Sequence, residues 1–130
     1  MLARDIMITN LFALREDHDL NMAQVLSEGK HIRHMPVVNS AGVPVGIIAC
    51  RDIARVLSKP ESSRFVPVRE VMNAELVTAS PQESVREIID SMIENEATAV
   101  LVLENNTLVG IITERDIVRG LKQYGNKLLV

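Results

Sequence analysis

The stretch that decides the fold is Gly46-Ile47-Ile48-Ala49-Cys50-Arg51-Asp52-Ile53-Ala54-Arg55-Val56-Leu57. It returns as Gly110-Ile111-Ile112-Thr113-Glu114-Arg115-Asp116-Ile117-Val118-Arg119-Gly120-Leu121, with eight of the twelve positions identical. Self-similarity of this kind marks a duplicated structural unit. Moving outward, Arg4-Asp5-Ile6-Met7 matches Arg69-Glu70-Val71-Met72. Met35-Pro36-Val37-Val38 matches Val100-Leu101-Val102-Leu103, with one residue gained or lost in the turn before the glycine. The chain therefore divides into a first repeat (1–58), a linker (59–67), a second repeat (68–124) and a C-terminal tail (125–130). A unit of about 60 residues buries too little surface to be more than marginally stable alone, so the two copies are expected to pack together.

Each copy reads in one order: helical lead-in (Leu2–Met7; Val68–Met72), brief strand (Asn10–Ala13; Glu75–Thr78), amphipathic helix, two strands and a closing helix. In the second copy Val85, Ile88, Ile89, Met92 and Ile93 fall at i, i+3, i+4, i+7 and i+8, one face of a helical period, and that face is expected to be core. The first copy is less regular, with Asp19 as N-cap and Gly29 near the helix end. Strands are expected at Met35–Val38, Val43–Ala49, Ala99–Leu103 and Leu108–Thr113. Asn39-Ser40-Ala41-Gly42 and Glu104-Asn105-Asn106 should turn them into hairpins. Helices Arg51–Ser58 and Glu114–Gln123 close the copies, and the polar, Pro-containing Lys59–Arg64 separates them.

Composition narrows the function. Of 130 residues, 47% are hydrophobic and 24% charged, ordinary values for a globular domain. Phe12, Phe65 and Tyr124 are the only aromatics, so stacking platforms for bases are absent. The net charge is −3 with both signs interspersed, which argues against nucleic acid and against a membrane surface as partners. No apolar run reaches the roughly 20 residues of a membrane span. No signal-peptide pattern follows Met1, and the lone Cys50 fits a reducing compartment, so a cytoplasmic protein is expected.

Chemistry is concentrated at Thr113-Glu114-Arg115-Asp116, where a strand hands over to a helix. Two readings stand side by side. Thr113 and Asp116 fit a capping box, which is purely structural. The same helix start also offers unpaired N–H groups to an anion, with a carboxylate able to accept both hydroxyls of a ribose. Other constellations are weaker. His18, His31 and His34 lack zinc-ligand spacing, so no metal is expected. Cys50 reads either as a redox-sensitive thiol at a helix start or as an inert, partly buried side chain. Arg51 and Arg115 read as phosphate contacts or as surface ion pairs. No nucleophile elbow, P-loop or dinucleotide fingerprint occurs, and the chain is not expected to be an enzyme.

The order of elements, with Gly-Ile-Ile-Thr-x-x-Asp at Gly110–Asp116 and Arg-His-Met-Pro-Val-Val at Arg33–Val38, resembles the CBS (cystathionine β-synthase) domain family over nearly the whole chain. The resemblance implies an α/β (α+β) fold, a tandem CBS pair of two βαββα repeats with pseudo-twofold symmetry and two clefts. Many such pairs bind AMP, ADP, ATP or S-adenosylmethionine. On that pattern Thr113 and Asp116 take the ribose, while Arg33 and His34 reach the phosphate. Val77, Thr78, Ala97 and Val100 lie against adenine or are plain core. The second cleft, at Asp52, is expected to be weak, since Ala49 replaces the Thr and Thr98-Ala99 replaces the basic pair. The expected protein is a ligand-sensing regulatory module, needing no cofactor. It would signal through conformation or a homodimer to another, regulated protein. A ligand-free interaction or oligomerisation module is the alternative.

Overall fold

A computed structural model describes all 130 residues, Met1 to Val130, which form two compact units. One is continuous, Phe12–Leu76, and is called here the central unit; the other, the split unit, combines Met1–Leu11 with Val77–Val130.

The central unit holds β1 (Leu14–Arg15), α2 (Leu20–Lys30), β2 (His34–Val38), β3 (Pro44–Ala49) and α3 (Cys50–Leu57). β1 lies parallel to β2, and β2 is antiparallel to β3. Asp19 starts α2 by accepting the Met22 N–H at 2.9 Å, and His31 ends it in the left-handed region at φ 54°. Leu14, Leu20, Ala23, Met35, Val37, Ile48, Ile53 and Val68 form its core. The brief strand expected at Asn10–Ala13 lies instead wholly beyond that span, at Leu14–Arg15, because Leu14 is the fully buried residue that pairs with Val37, whereas Asn10 and Ala13 face solvent.

The split unit repeats this plan with β4 (Thr78–Ala79), α4 (Val85–Glu94), β5 (Ala99–Glu104), β6 (Thr107–Thr113) and α5 (Glu114–Tyr124), and adds α1 (Ala3–Ile6). Its strands follow the order β4-β5-β6 with the same parallel-then-antiparallel pairing. Ala3, Ala79, Ile88, Met92, Val100, Val102 and Ile112 make its core. The stretch after α5 folds back as a 3-10 turn, Gly125–Leu129, that buries Leu128.

The hairpins explain the one-residue difference between repeats. Both break register at the same place, after Val37↔Gly46 and after Val102↔Gly110. The first turn is wider: the Asn39 side chain accepts from Ala41 and Val43 N–H, and Gly42 sits at φ 80°. In the second, Asn105 and Asn106 take φ 52° and 64° between paired Glu104 and Thr107, the pattern of a tight type I′ turn.

Each lead-in belongs to the other repeat's unit. Ile8 exchanges two backbone hydrogen bonds with Ile111, and Asn73 does the same with Ile47, at the matching position of the other copy. The glycine that both copies share at this position makes room for this. A Cβ on Gly110 would lie 2.6 Å from Met7 Sδ, and one on Gly46 would collide with Met72 Sδ. The repeat boundary in sequence is therefore not the unit boundary in structure.

The face read as core on α4 is only partly so. Val85, Ile88 and Met92 are buried, but Ile93 is 71% exposed. A second apolar row remains on the surface because the sheet can cover only one side of the helix. No helix is long and apolar enough to cross a membrane.

Candidate functional site

Thr113 closes β6 and stands as the N-cap of α5 with extended backbone (φ −115°, ψ 169°). One turn later the Asp116 carboxylate swings back over the helix start. Its Oδ2 accepts from the Thr113 backbone N–H at 2.9 Å and from the Thr113 hydroxyl at 3.1 Å. Its Oδ1 receives Arg119 Nη1 at 3.1 Å. The structural reading of this motif, a carboxylate closing on the N-cap, is thus present in the geometry.

Capping does not exhaust the residue. Asp116 is only 6% exposed, and it lines a cavity of about 150 Å³ with Asp5, Ile6, Ile8, Arg119, Gly120, Gln123 and Tyr124. Burying a carboxylate is costly unless it is paired and hydrogen-bonded, as it is here. A carboxylate offers about four acceptor positions, so three donors leave room for a fourth. Arg119 is itself 56% exposed and free to swing to solvent, which would release another.

The first repeat shows what one substitution does. Ala49 occupies the N-cap of α3, so no hydroxyl reaches Asp52. Asp52 Oδ2 accepts the Ala49 N–H at a long 3.4 Å, its Oδ1 pairs with Arg55 at 3.2 Å, and its side chain is 25% exposed. The two carboxylates hold equivalent positions, but the second is tied more tightly and buried more deeply.

Of the other expected residues in the split unit, Val77, Thr78, Ala97 and Val100, none lines the Asp116 cavity. Thr113 faces Ala99 across the β5-β6 ladder, and Val77 accepts the Leu101 N–H at 3.0 Å beside exposed Thr78. Val100, 1% exposed and paired with Ile112, has no surface to offer a ligand; its alternation places it in the core. Ala97 instead lines an open apolar groove between α4 and α5. Arg33, exposed, and His34, half-buried, belong to the central unit. The Arg33 carbonyl accepts Cys50 N–H at 2.8 Å, just as Thr98 accepts Glu114 N–H at 3.1 Å in the other copy. No three His, Cys, Asp or Glu side chains cluster as metal ligands.

Sequence reasoning missed the cavity wall. Arg119, Gly120, Gln123 and Tyr124 follow Asp116 at i+3, i+4, i+7 and i+8, so the helical period was a usable signal. Asp5, Ile6 and Ile8 had none, because they arrive through the exchange of lead-ins.

Residues 3–59 and 68–123 each match the family described as CBS domain. The CBS domain pair of protein MJ0100, solved in complex with 5′-methylthioadenosine and S-adenosyl-L-methionine, superposes with a TM-score of 0.84 at 27% identity, covering 95% of this chain and 97% of that one. The CBS domain-containing protein YhcV of Bacillus subtilis is 28% identical over 88% of this chain and 81% of its own. A homoserine O-acetyltransferase of Methanohalobium evestigatum is 26% identical over 92% of this chain, which spans only 24% of that enzyme. The chain belongs to the CBS domain family, as a tandem pair of βαββα repeats.

Proposed function

We propose that the chain is a regulatory module that binds an adenosyl ligand (AMP, ADP, ATP or S-adenosylmethionine) at Asp116. It reports occupancy to a regulated protein through conformation or dimer state, in the cytoplasm. The observation that carries this is the buried Asp116 carboxylate, which lines a cavity and keeps acceptor capacity beyond its role as a cap. The MJ0100 pair, similar over nearly all of both chains, supports an adenosyl ligand.

Ligand pockets usually run from about 300 Å³ upward, so a cavity of about 150 Å³ suits a sugar ring and not a whole nucleotide. In this reading the ribose hydroxyls donate to Asp116, and Arg119 yields its place to one of them. Adenine then rests on Val77 and Thr78. Arg33 and His34 take phosphate; this part rests on the family pattern. Arg suits the role through its planar fork of donors.

A thermal-shift panel tests the reading. At about 100 times its Kd, a ligand adds roughly 2.7 kcal/mol of stability, a rise of several degrees. Asp116→Ala should abolish the ligand-induced rise measured from its own unliganded midpoint, while Asp52→Ala should retain it. Arg33→Ala should weaken AMP far more than adenosine. No shift with any of the four ligands at millimolar concentration would leave the ligand-free assembly module as the better reading.

A further inference from the structure

The Asp116 carboxylate has less room than a ribose needs. A carboxylate accepts about four hydrogen bonds, two on each oxygen. Oδ2 is full, with the Thr113 backbone N–H at 2.9 Å and the Thr113 hydroxyl at 3.1 Å. Oδ1 holds Arg119 Nη1 at 3.1 Å and keeps one place. A single hydroxyl fits beside Arg119. A pair of vicinal hydroxyls, with two protons to donate, does not.

One of the three donors must therefore leave when a diol arrives, and they differ in what leaving costs. The Thr113 N–H belongs to the N-cap of α5 and cannot turn away without unwinding the helix start. The Thr113 hydroxyl is half-buried on the same residue. Arg119 follows Asp116 by three residues on α5, and its side chain is 56% exposed. Its guanidinium can exchange the bond to Asp116 for water by a change of rotamer alone, with the backbone unmoved.

We propose, resting on the reading of Asp116 as the ribose acceptor, that Arg119 is a built-in competitor for the ligand: it occupies the place on Asp116 that the second hydroxyl of a cis-diol must take. Arg119 thereby sets two properties of the site. It raises the concentration at which a riboside fills it, since each binding event breaks the ion pair. It also narrows the margin by which a riboside is preferred to its 2′-deoxy counterpart, whose remaining 3′ hydroxyl uses the open place and leaves Arg119 where it is. In the empty protein the same contact is stabilising, because it pairs a carboxylate that is only 6% exposed.

The first repeat provides an internal control. Arg55 Nη2 meets Asp52 Oδ1 at 3.2 Å, an ion pair with the same spacing along its helix. Ala49 supplies no hydroxyl, and Asp52 Oδ2 accepts the Ala49 N–H at 3.4 Å. Each Asp52 oxygen keeps a place with Arg55 still paired, so no competition arises there. Whether the arginine stands in the way depends on the hydroxyl of Thr113.

Isothermal titration of the whole chain with adenosine, 2′-deoxyadenosine and AMP tests the proposal. Arg119→Met and Arg119→Ala remove the donor at an exposed position of α5. Both should tighten adenosine and AMP alike by about five- to tenfold, the worth of one partly exposed charge-assisted bond, and leave 2′-deoxyadenosine within about twofold of wild type. Arg119→Lys, which keeps a cation beside Asp116, should bind adenosine as wild type does, and so should Arg55→Met. Adenosine bound no more tightly by Arg119→Met and Arg119→Ala than by wild type overturns the proposal. So does an equal gain for 2′-deoxyadenosine, or an equal gain in Arg119→Lys or Arg55→Met. AMP weakened while adenosine is unchanged would make Arg119 a phosphate contact instead. In each of these cases wild-type binding leaves the ribose reading of Asp116 standing, whereas no binding of adenosine or AMP by wild type or any Arg119 variant overturns that reading and the competitor with it.

Discussion

Replacing Gly110 with Ala should cost stability, and Met7 should be the reason. The new Cβ would stand 2.6, 2.9 and 3.1 Å from Met7 Sδ, Cγ and Cβ. The first two are well inside contact distance, and the side chain must move out of a packed position. Overpacking of this kind costs about 1–3 kcal/mol. For a chain of this size each kcal/mol lowers the melting midpoint by roughly 3–5 °C, so Gly110→Ala should melt about 3–15 °C below wild type. Met7→Ala alone removes a half-buried side chain and should cost about 1–2 kcal/mol, below the range of about 2–5 kcal/mol for a fully buried Met. In the double variant the crowding atoms are gone, so the combined loss should fall short of the sum by about 1 kcal/mol. Thermal melts followed by circular dichroism at fixed protein concentration read all four species. Strictly additive losses, or a Gly110→Ala midpoint within about 1 °C of wild type, would refute the packing of the first lead-in on the second repeat's β6.

Three further outcomes follow from the geometry. Without ligand, Asp116→Ala should lose about 1–3 kcal/mol in urea unfolding, because it removes a buried acceptor of three hydrogen bonds. Asp52→Ala, with one long backbone bond and an exposed ion pair, should lose less than about 1 kcal/mol. Asn106→Gly should add about 0.5 kcal/mol to the unfolding free energy in the same assay, since φ 64° is strained for a side chain and free for glycine. Leu14→Ala should cost about 2–5 kcal/mol, as expected for the fully buried anchor of β1, whereas Ala13→Ser at its exposed neighbour should be close to neutral in the same assay.

Much of the fold was legible because duplication states it twice. The eight identical positions aligned the hairpins and closing helices, and turn chemistry at Asn39–Gly42 and Asn105-Asn106 placed the reversals. The strand at Leu14 was misplaced because two residues cannot show an alternation. The exchange of lead-ins was hidden for a different reason. Met7 and Gly110 are far apart in sequence, and a linear match between repeats cannot tell which copy of β3 or β6 a lead-in joins. At the site, Thr113 and Asp116 were readable from local capping logic, which also governs their geometry. Val100 stayed open between pocket wall and core because apolar character suits both equally; its burial and its pairing with Ile112 place it in the core. The exposed Ile93 row was read as core since helical periodicity identifies a face without saying what covers it.

The central claim, one adenosyl site per chain centred on Asp116, is tested most directly by isothermal titration of the whole chain with AMP and with S-adenosylmethionine. The account predicts saturable binding of at least one of them at one equivalent per chain, lost in Asp116→Ala and kept in Asp52→Ala. Two equal sites, or binding that survives Asp116→Ala, would contradict it.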